Sequence, residues 1–236
     1  MVQAARRGAI RSAGESRIAM IRLKPVESTN GAFQVLCLGC HSDDIEIGCG
    51  GAILQLAAER PEAVFSWVVF SADGVRASEA RQGVAQILDP SRVTAVTLKP
   101  FPDGFMPYVG ADIKRVFEEL KRSVSPDVIF THNRNDAHQD HRLISDLTWN
   151  TFRDHLILEY EIPKYDGDMG RPGVFIPLSK DVCEKKVNVI VNTFRSQSDK
   201  RWFDRETFLS LMRLRGMECN SPSGYAEAFY GRKLLL

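Results

Sequence analysis

A chain of 236 residues with 44% apolar and 26% charged side chains carries enough apolar material for one sizeable α/β core. Its 31 basic and 30 acidic residues leave a formal net charge of +1, which excludes a bulk field that would steer nucleic acid or an anionic membrane. No apolar run approaches the roughly 20 residues needed to span a bilayer.

Residues 1–30 carry Arg6, Arg7, Arg11, Arg17, Arg22 and Lys24 against Glu15 and Glu27. They lack the continuous apolar stretch of a secretory signal. They read as a leader that is disordered or lies upstream of a true start at Met20, with an Arg-rich transit peptide as the other reading. The fold is therefore assigned to residues 31–236, as one domain. Residues 33–40 form a short apolar run ending in glycine and a polar cluster, the pattern of a buried parallel strand. A helix follows at 49–60, a β-branched and aromatic strand at 63–71, a helix at 78–88 and a strand at 93–98. A helix at 111–123 places Ile113, Val116, Phe117 and Leu120 on one face; a strand at 127–131 and a helix at 139–154 follow. Strand and helix thus alternate four times, which implies a Rossmann-like, doubly wound, mostly parallel sheet with helices on both faces. After residue 155 the rhythm changes to short strands at 156–161 and 174–177, separated by a Gly-, Asp- and Pro-containing loop (164–173), and then to helices at about 180–195 and 205–215.

The five cysteines, Cys37, Cys40, Cys49, Cys183 and Cys219, are odd in number and widely spaced. That argues against a disulfide framework and for a reducing, cytoplasmic setting. Cys37 and Cys40 lie three apart within one strand, so they face opposite sides of the sheet and do not chelate one ion together.

Two polar clusters follow predicted strands. The first is His41-Ser42-Asp43-Asp44; the second runs from His132 to Arg142 and contains His138, Asp140 and His141. In an open α/β sheet, ligands bind outside the carboxyl ends of the strands where strand order reverses. A 3-2-1-4 order brings both clusters to one crevice. Imidazoles with a carboxylate suit Zn²⁺, with an open position for a water whose pKa falls to about 7. His41 and Asp44 can bend toward one ion from a turn. His138 and His141 share a face at a helix start, so that one can bind metal while the other points at substrate. Asp43, beside them, is placed to take a proton. His155 lies outside both clusters and reads as structural.

These residues resemble the LmbE/PIG-L family of zinc-dependent N-deacetylases. The family motif A-H-P-D-D-x-x-x-G-x-G-G stands here as Cys40-His41-Ser42-Asp43-Asp44 followed by Gly48, Gly50 and Gly51, and H-x-D-H stands as His138-Gln139-Asp140-His141. The likeness runs from about residue 33 onward and includes Ala72-Asp73-Gly74, Arg76 with Glu79, Pro102-Asp103-Gly104, Ser196-Gln197 and Tyr225 to Phe229. It implies His41, Asp44 and His141 as ligands of one zinc, another divalent metal such as Fe²⁺ being an alternative. It implies Asp43 as general base. It implies His138, oriented by Asp140, as the group that stabilises the oxyanion or protonates the leaving amine. Arg76 and Asp103 align with positions that hold sugar hydroxyls. Asp136 stands where some members place a tyrosine, and is expected to bind substrate or its own loop. Ser42 replaces the family proline, and Cys40, expected to point into the sheet, replaces an alanine.

The activity implied is removal of an acetyl group from an N-acetylated amino sugar such as an N-acetylglucosamine conjugate. The partner is then a small molecule or glycoconjugate, with no nucleic acid and no membrane span. Family members are often homo-oligomers. Two other readings stay open: a nucleotide-binding α/β protein, in which Gly48–Gly51 would cradle phosphate, and an inactive sugar-binding module of the same fold. Tight helix–sheet packing is the preferred role of those glycines. Specificity is expected in the loops around 73–79, 101–110, 133–137 and 164–173, the last as a wall or lid.

Overall fold

The structure, a computed structural model, describes residues 31–234; the expected leader, 1–30, lies outside the described residues. Its first strand, β1 (Gln34–His41), is the apolar run read from the sequence. Period-two alternation sends Leu36, Leu38 and Cys40 into one core cluster and Val35 and Cys37 into another, so the two cysteines do face opposite sides of the sheet. The chain then continues through α1 (Asp44–Glu59), β2 (Val64–Ser71), α2 (Gly74–Ile87), β3 (Val93–Leu98), α3 (Gly110–Ser123), β4 (Val128–His132), α4 (Gln139–Thr151) and β5 (Leu156–Tyr160). It ends with β6 (Val174–Leu178), α5 (Lys180–Thr193), α6 (Arg205–Glu218) and β7 (Tyr225–Gly231).

The seven strands form one sheet in the order β3-β2-β1-β4-β5-β7-β6. The first five are parallel, while β7 runs antiparallel between β5 and β6. Side chains of α1, α2, α5 and α6 pack on one face, and those of α3 and α4 on the other. This is the doubly wound α/β class expected. Strand order reverses at β1, which pairs with β2 on one side and β4 on the other. The crevice therefore opens where β1 ends at His41 and β4 ends at His132.

Three elements depart from the sequence reading. Helix α1 starts at Asp44, five residues before the expected start at 49, and α2 starts at Gly74 rather than 78. Strand β7 was not expected. Low glycine propensity hides the start of α1, and packing overrides it. A Cβ at Gly48 would fall inside the Tyr160 ring of β5, and one at Gly51 would meet Leu178 and Glu227. Gly48 and Gly51 let α1 lie flush on the sheet. Among the described residues, no helix is long and apolar enough to cross a membrane.

Candidate metal centre

The site is built from chain ends that the sheet holds in place. His41 closes β1, and Asp44 opens α1 three residues later. The carboxylate of Asp44 accepts the His41 backbone N–H at 2.6 Å, which folds the intervening turn onto itself. His141 lies in the first turn of α4 and reaches the same point from the other side of the crevice. His41 Nδ1 and His141 Nε2 are 3.2 Å apart. Asp44 Oδ2 lies 3.4 Å from His41 Nδ1 and 3.7 Å from His141 Nε2. Ligands at 2.0–2.1 Å around a tetrahedral zinc are separated by about 3.3 Å. The three donor atoms thus form a triangle of the size one such ion needs, and the donor set fits the metal.

The second nitrogen of each ring in the triangle faces a carboxylate. His41 Nε2 lies 3.0 Å from Asp103 Oδ1, and His141 Nδ1 lies 2.9 Å from Asp136 Oδ2. A carboxylate draws the proton to the nitrogen it faces, which leaves the lone pairs of His41 Nδ1 and His141 Nε2 aimed into the triangle. Arg76 anchors Asp103 through a 2.7 Å contact to Oδ2. Both oxygens of Asp103 therefore have partners within the protein. Asp136 is buried, and its Oδ1 accepts the His138 backbone N–H at 2.7 Å. Of the two partners expected for Asp136, substrate or its own loop, the contacts present are in the loop, together with the ring of His141. The physical cause is that the His141 imidazole, buried at 2% exposure, needs an acceptor for its N–H.

Asp140 was expected to orient His138, and its carboxylate makes its hydrogen bonds to a neighbouring loop. Its carboxylate accepts the backbone N–H groups of Gly104 (2.7 Å) and Met106 (3.2 Å), and so fastens the loop that carries Asp103. His138 is oriented by the backbone. It is the N-cap of α4, and its Nδ1 accepts the Asp140 N–H at 3.2 Å. In the neutral ring the proton then resides on Nε2, the nitrogen left to face a ligand. His138 lies 5.1 Å from the His41 ring and 4.6 Å from the His141 ring, centroid to centroid.

His132 is the residue that sequence reasoning left without a role. Its fully buried ring stacks on His141 at 3.9 Å, and its Nε2 lies 2.9 Å from the Cys40 N and 3.2 Å from Asp44 Oδ2. The available signal was its position as the last residue of β4, at the mouth of the crevice. His155, by contrast, sits away from the site beside Asp154.

The charges favour a cation. Burial alone would raise the Asp44 carboxyl, but the rings of His141, His132 and His41 hold it well below the usual range and ionised. Burial opposes charge on His41 too, yet Asp44, Asp103 and Asp140 raise its pKa well above the ordinary imidazole value, so in the metal-free chain its ring holds a proton that a cation in the triangle would displace. Burial, together with the neighbouring His132, pushes His141 down to about 4, which keeps it neutral and able to donate a lone pair. Burial and the His41 charge lower His138 as well. Burial and the adjacent Asp44 raise Asp43 to about 6. Asp43 occupies the N-cap position of α1 without using its side chain to cap it. Cys40 also comes near His132 and His141. Burial raises its thiol well above the usual range, and Sγ rests 3.4 Å from Met106 Sδ, so it remains a protonated core group.

Comparison with known proteins gives three findings. The family described as PIG-L, GlcNAc-PI de-N-acetylase, matches residues 36–152. A comparison with curated proteins found no match. Among solved structures, the N,N'-diacetylchitobiose deacetylase of Pyrococcus horikoshii is similar at 20% identity and TM-score 0.65, over 85% of this chain and 84% of that one. GalB of Pseudomonas putida, a 4-carboxy-2-hydroxymuconate hydratase, is similar at 17% identity and TM-score 0.70, over 86% and 98%. The zinc-inhibited form of the teicoplanin deacetylase Orf2 is similar at 15% identity and TM-score 0.57, over 84% and 97%. At these identities the likeness establishes the fold. A deacetylase and a hydratase share it, so the reaction is argued from the site.

Proposed function

The chain belongs to the PIG-L family, and on that premise we propose that it is a zinc-dependent N-deacetylase acting on an N-acetylated amino sugar or sugar conjugate. The observation that carries this reading is the triangle of His41 Nδ1, Asp44 Oδ2 and His141 Nε2, with edges of 3.2, 3.4 and 3.7 Å. The same mixed nitrogen and oxygen donors also suit another divalent ion such as Fe²⁺. When bound, the metal supplies Lewis acidity toward water and toward an amide carbonyl.

The chain's own residues supply the remaining chemistry. Asp43, uncommitted to capping and next to a ligand, takes a proton from the attacking water. His138 presents Nε2–H to the amide oxygen on which charge develops, and the proton taken up by Asp43 passes to the amine as the C–N bond breaks. The products are acetate and a free amine. Asp140 holds the loop carrying Asp103 and Gly104 against the ligand histidines. Arg76 and Asp103 line the open side of the site. We assign them to contact with sugar hydroxyls, on the basis that Asp103 is 43% exposed while touching His41. The partner is a small molecule or glycoconjugate, and a homo-oligomer fits the reading. Five free cysteines support a reducing, cytoplasmic setting.

The test is acetate release from a panel of N-acetylglucosamine conjugates, using chain stripped of metal and then given one equivalent of Zn²⁺. Release that appears only after metal addition supports the proposal. Stoichiometric zinc with no release from any conjugate, but with tight sugar binding, would favour the inactive binding module instead. The nucleotide-binding alternative is disfavoured by the packing of Tyr160 and Leu178 against Gly48 and Gly51.

A further inference from the structure

The segment 164–168, which follows β5 and carries no donor to the metal triangle, is fastened to the turn that leads into His141. Lys164 Nζ lies 3.0 Å from Asp136 Oδ1 and donates to Asp168 Oδ2 at 2.7 Å. The same Asp168 oxygen accepts the Ala137 backbone N–H at 2.6 Å. Gly167, at φ +63°, turns the segment back so that both side chains reach residues 136 and 137. At the outer end, the Tyr165 hydroxyl accepts the Arg201 backbone N–H at 3.0 Å. Lys164 keeps only a tenth of its side chain exposed, so this ammonium is committed to its three carboxylate neighbours, Asp136, Asp168 and Asp166.

The consequence for the metal centre is geometric. Asp136 Oδ1 has two donors, the His138 N–H at 2.7 Å and Lys164 at 3.0 Å. Together they fix the plane of the carboxylate, and that plane aims Oδ2 at His141 Nδ1, 2.9 Å away. We propose that Lys164 and Asp136 are positioning residues for the metal ligand His141, with segment 164–168 acting as a strap that sets the orientation of its ring. The inference rests on the metal-centre reading. It assigns to the strap a share in metal retention, in addition to any role as a wall of the substrate site. The carboxylate–imidazole–metal arrangement is the one in which outer partners typically alter affinity by 10- to 100-fold.

The experiment measures the Zn²⁺ dissociation constant of the full chain by competition with a chromophoric chelator, alongside the visible spectrum of the Co²⁺-substituted protein. Asp136→Asn is expected to weaken Zn²⁺ binding by roughly 10- to 100-fold. Lys164→Met is expected to weaken it by about 10-fold and to shift the Co²⁺ bands, which report ligand geometry. Asp168→Asn, a milder change that leaves the Lys164–Asp136 contact in place, is expected to act in the same direction to a smaller extent. Lys114→Met removes one positive charge at a distant pair with Glu118 and is expected to leave both readings unchanged. Lys164→Met and Asp168→Asn variants that bind zinc within twofold of the parent, with an unchanged Co²⁺ spectrum, would overturn the strap. A parent chain that binds no Zn²⁺ would overturn the metal-centre reading itself and the strap with it.

Discussion

Lys186→Met should destabilise the protein more than any surface change can, because it breaks a buried ion pair inserted into α1. Lys186 and Glu227 are each 4% exposed and lie 2.6 Å apart. Lys186 Nζ also donates to the Ile47 carbonyl at 2.6 Å, while Glu227 accepts the N–H groups of Gly51 (2.8 Å) and Ala52 (2.7 Å). An uninterrupted α-helix pairs the Gly51 N–H with the Ile47 carbonyl. Methionine keeps most of the apolar stem, so the packing loss is small. Removing one partner of a buried pair costs about 3–5 kcal/mol, with part of that arising from the orphaned Ile47 carbonyl. At about 2–4 °C per kcal/mol for a domain of this size, Tm should fall by roughly 6–20 °C. Urea unfolding of the metal-free chain, fitted for midpoint and slope, measures the change directly. Glu227→Gln added to Lys186→Met should recover part of the loss, because it removes the unpaired charge. A single variant that costs less than about 1 kcal/mol, or a double variant that costs the sum of the two singles, would refute the reasoning.

Three further outcomes follow from the site. Asp43→Asn should lower acetate release by about 10²- to 10⁴-fold while zinc stoichiometry, read by elemental analysis, stays at the parent value; full activity would remove Asp43 from its role as base. Asp103→Asn should weaken Zn²⁺ by about 10-fold, at the lower end because Asp103 is half exposed, and an unchanged dissociation constant in the chelator competition would separate Asp103 from His41. Glu46 is buried, with neither carboxylate oxygen hydrogen-bonded among the described residues, and burial raises its pKa well above the ordinary value. The unfolded chain then releases the Glu46 proton first as pH rises, so stability present below the ordinary glutamate pKa is lost as pH climbs through the raised folded value. Glu46→Gln should therefore gain stability relative to the parent at pH 8 compared with pH 5, in urea unfolding of the metal-free chain; an equal difference at both pH values would contradict this.

Much of the frame was legible because it depends on local pattern. The run around Leu36 and Leu38 reads as a strand wherever it is placed, and Val93–Leu98 matches its observed bounds. The alternation through α4 leaves few topologies other than a parallel sheet wound on both sides of β1. Strand β7 was missed because it alternates weakly and carries Glu227. That carboxylate becomes acceptable in a buried strand only when Lys186 and two α1 amides satisfy it. The start of α1 was missed for a related reason. Gly48, Gly50 and Gly51 oppose a helix in isolation, and it is the approach of Tyr160 and Leu178 that selects them.

The candidate site divides in the same way. Residue types and spacing in His41 to Asp44 and in His138 to His141 determined which chemistry the chain could hold, because donor atoms belong to side chains and short turns bring neighbours together. Which nitrogen of each ring faces inward, which carboxylate fixes it, and which loop fixes that carboxylate were decided by the tertiary structure alone. Asp103 meets His41 across 62 positions, and Lys164 meets Asp136 across 28. Contacts over such separations depend on how β3, β5 and α4 are stacked, and no local propensity encodes that. The contacts of Asp136, Asp140 and His132 therefore form only when the strand ends are brought to one crevice.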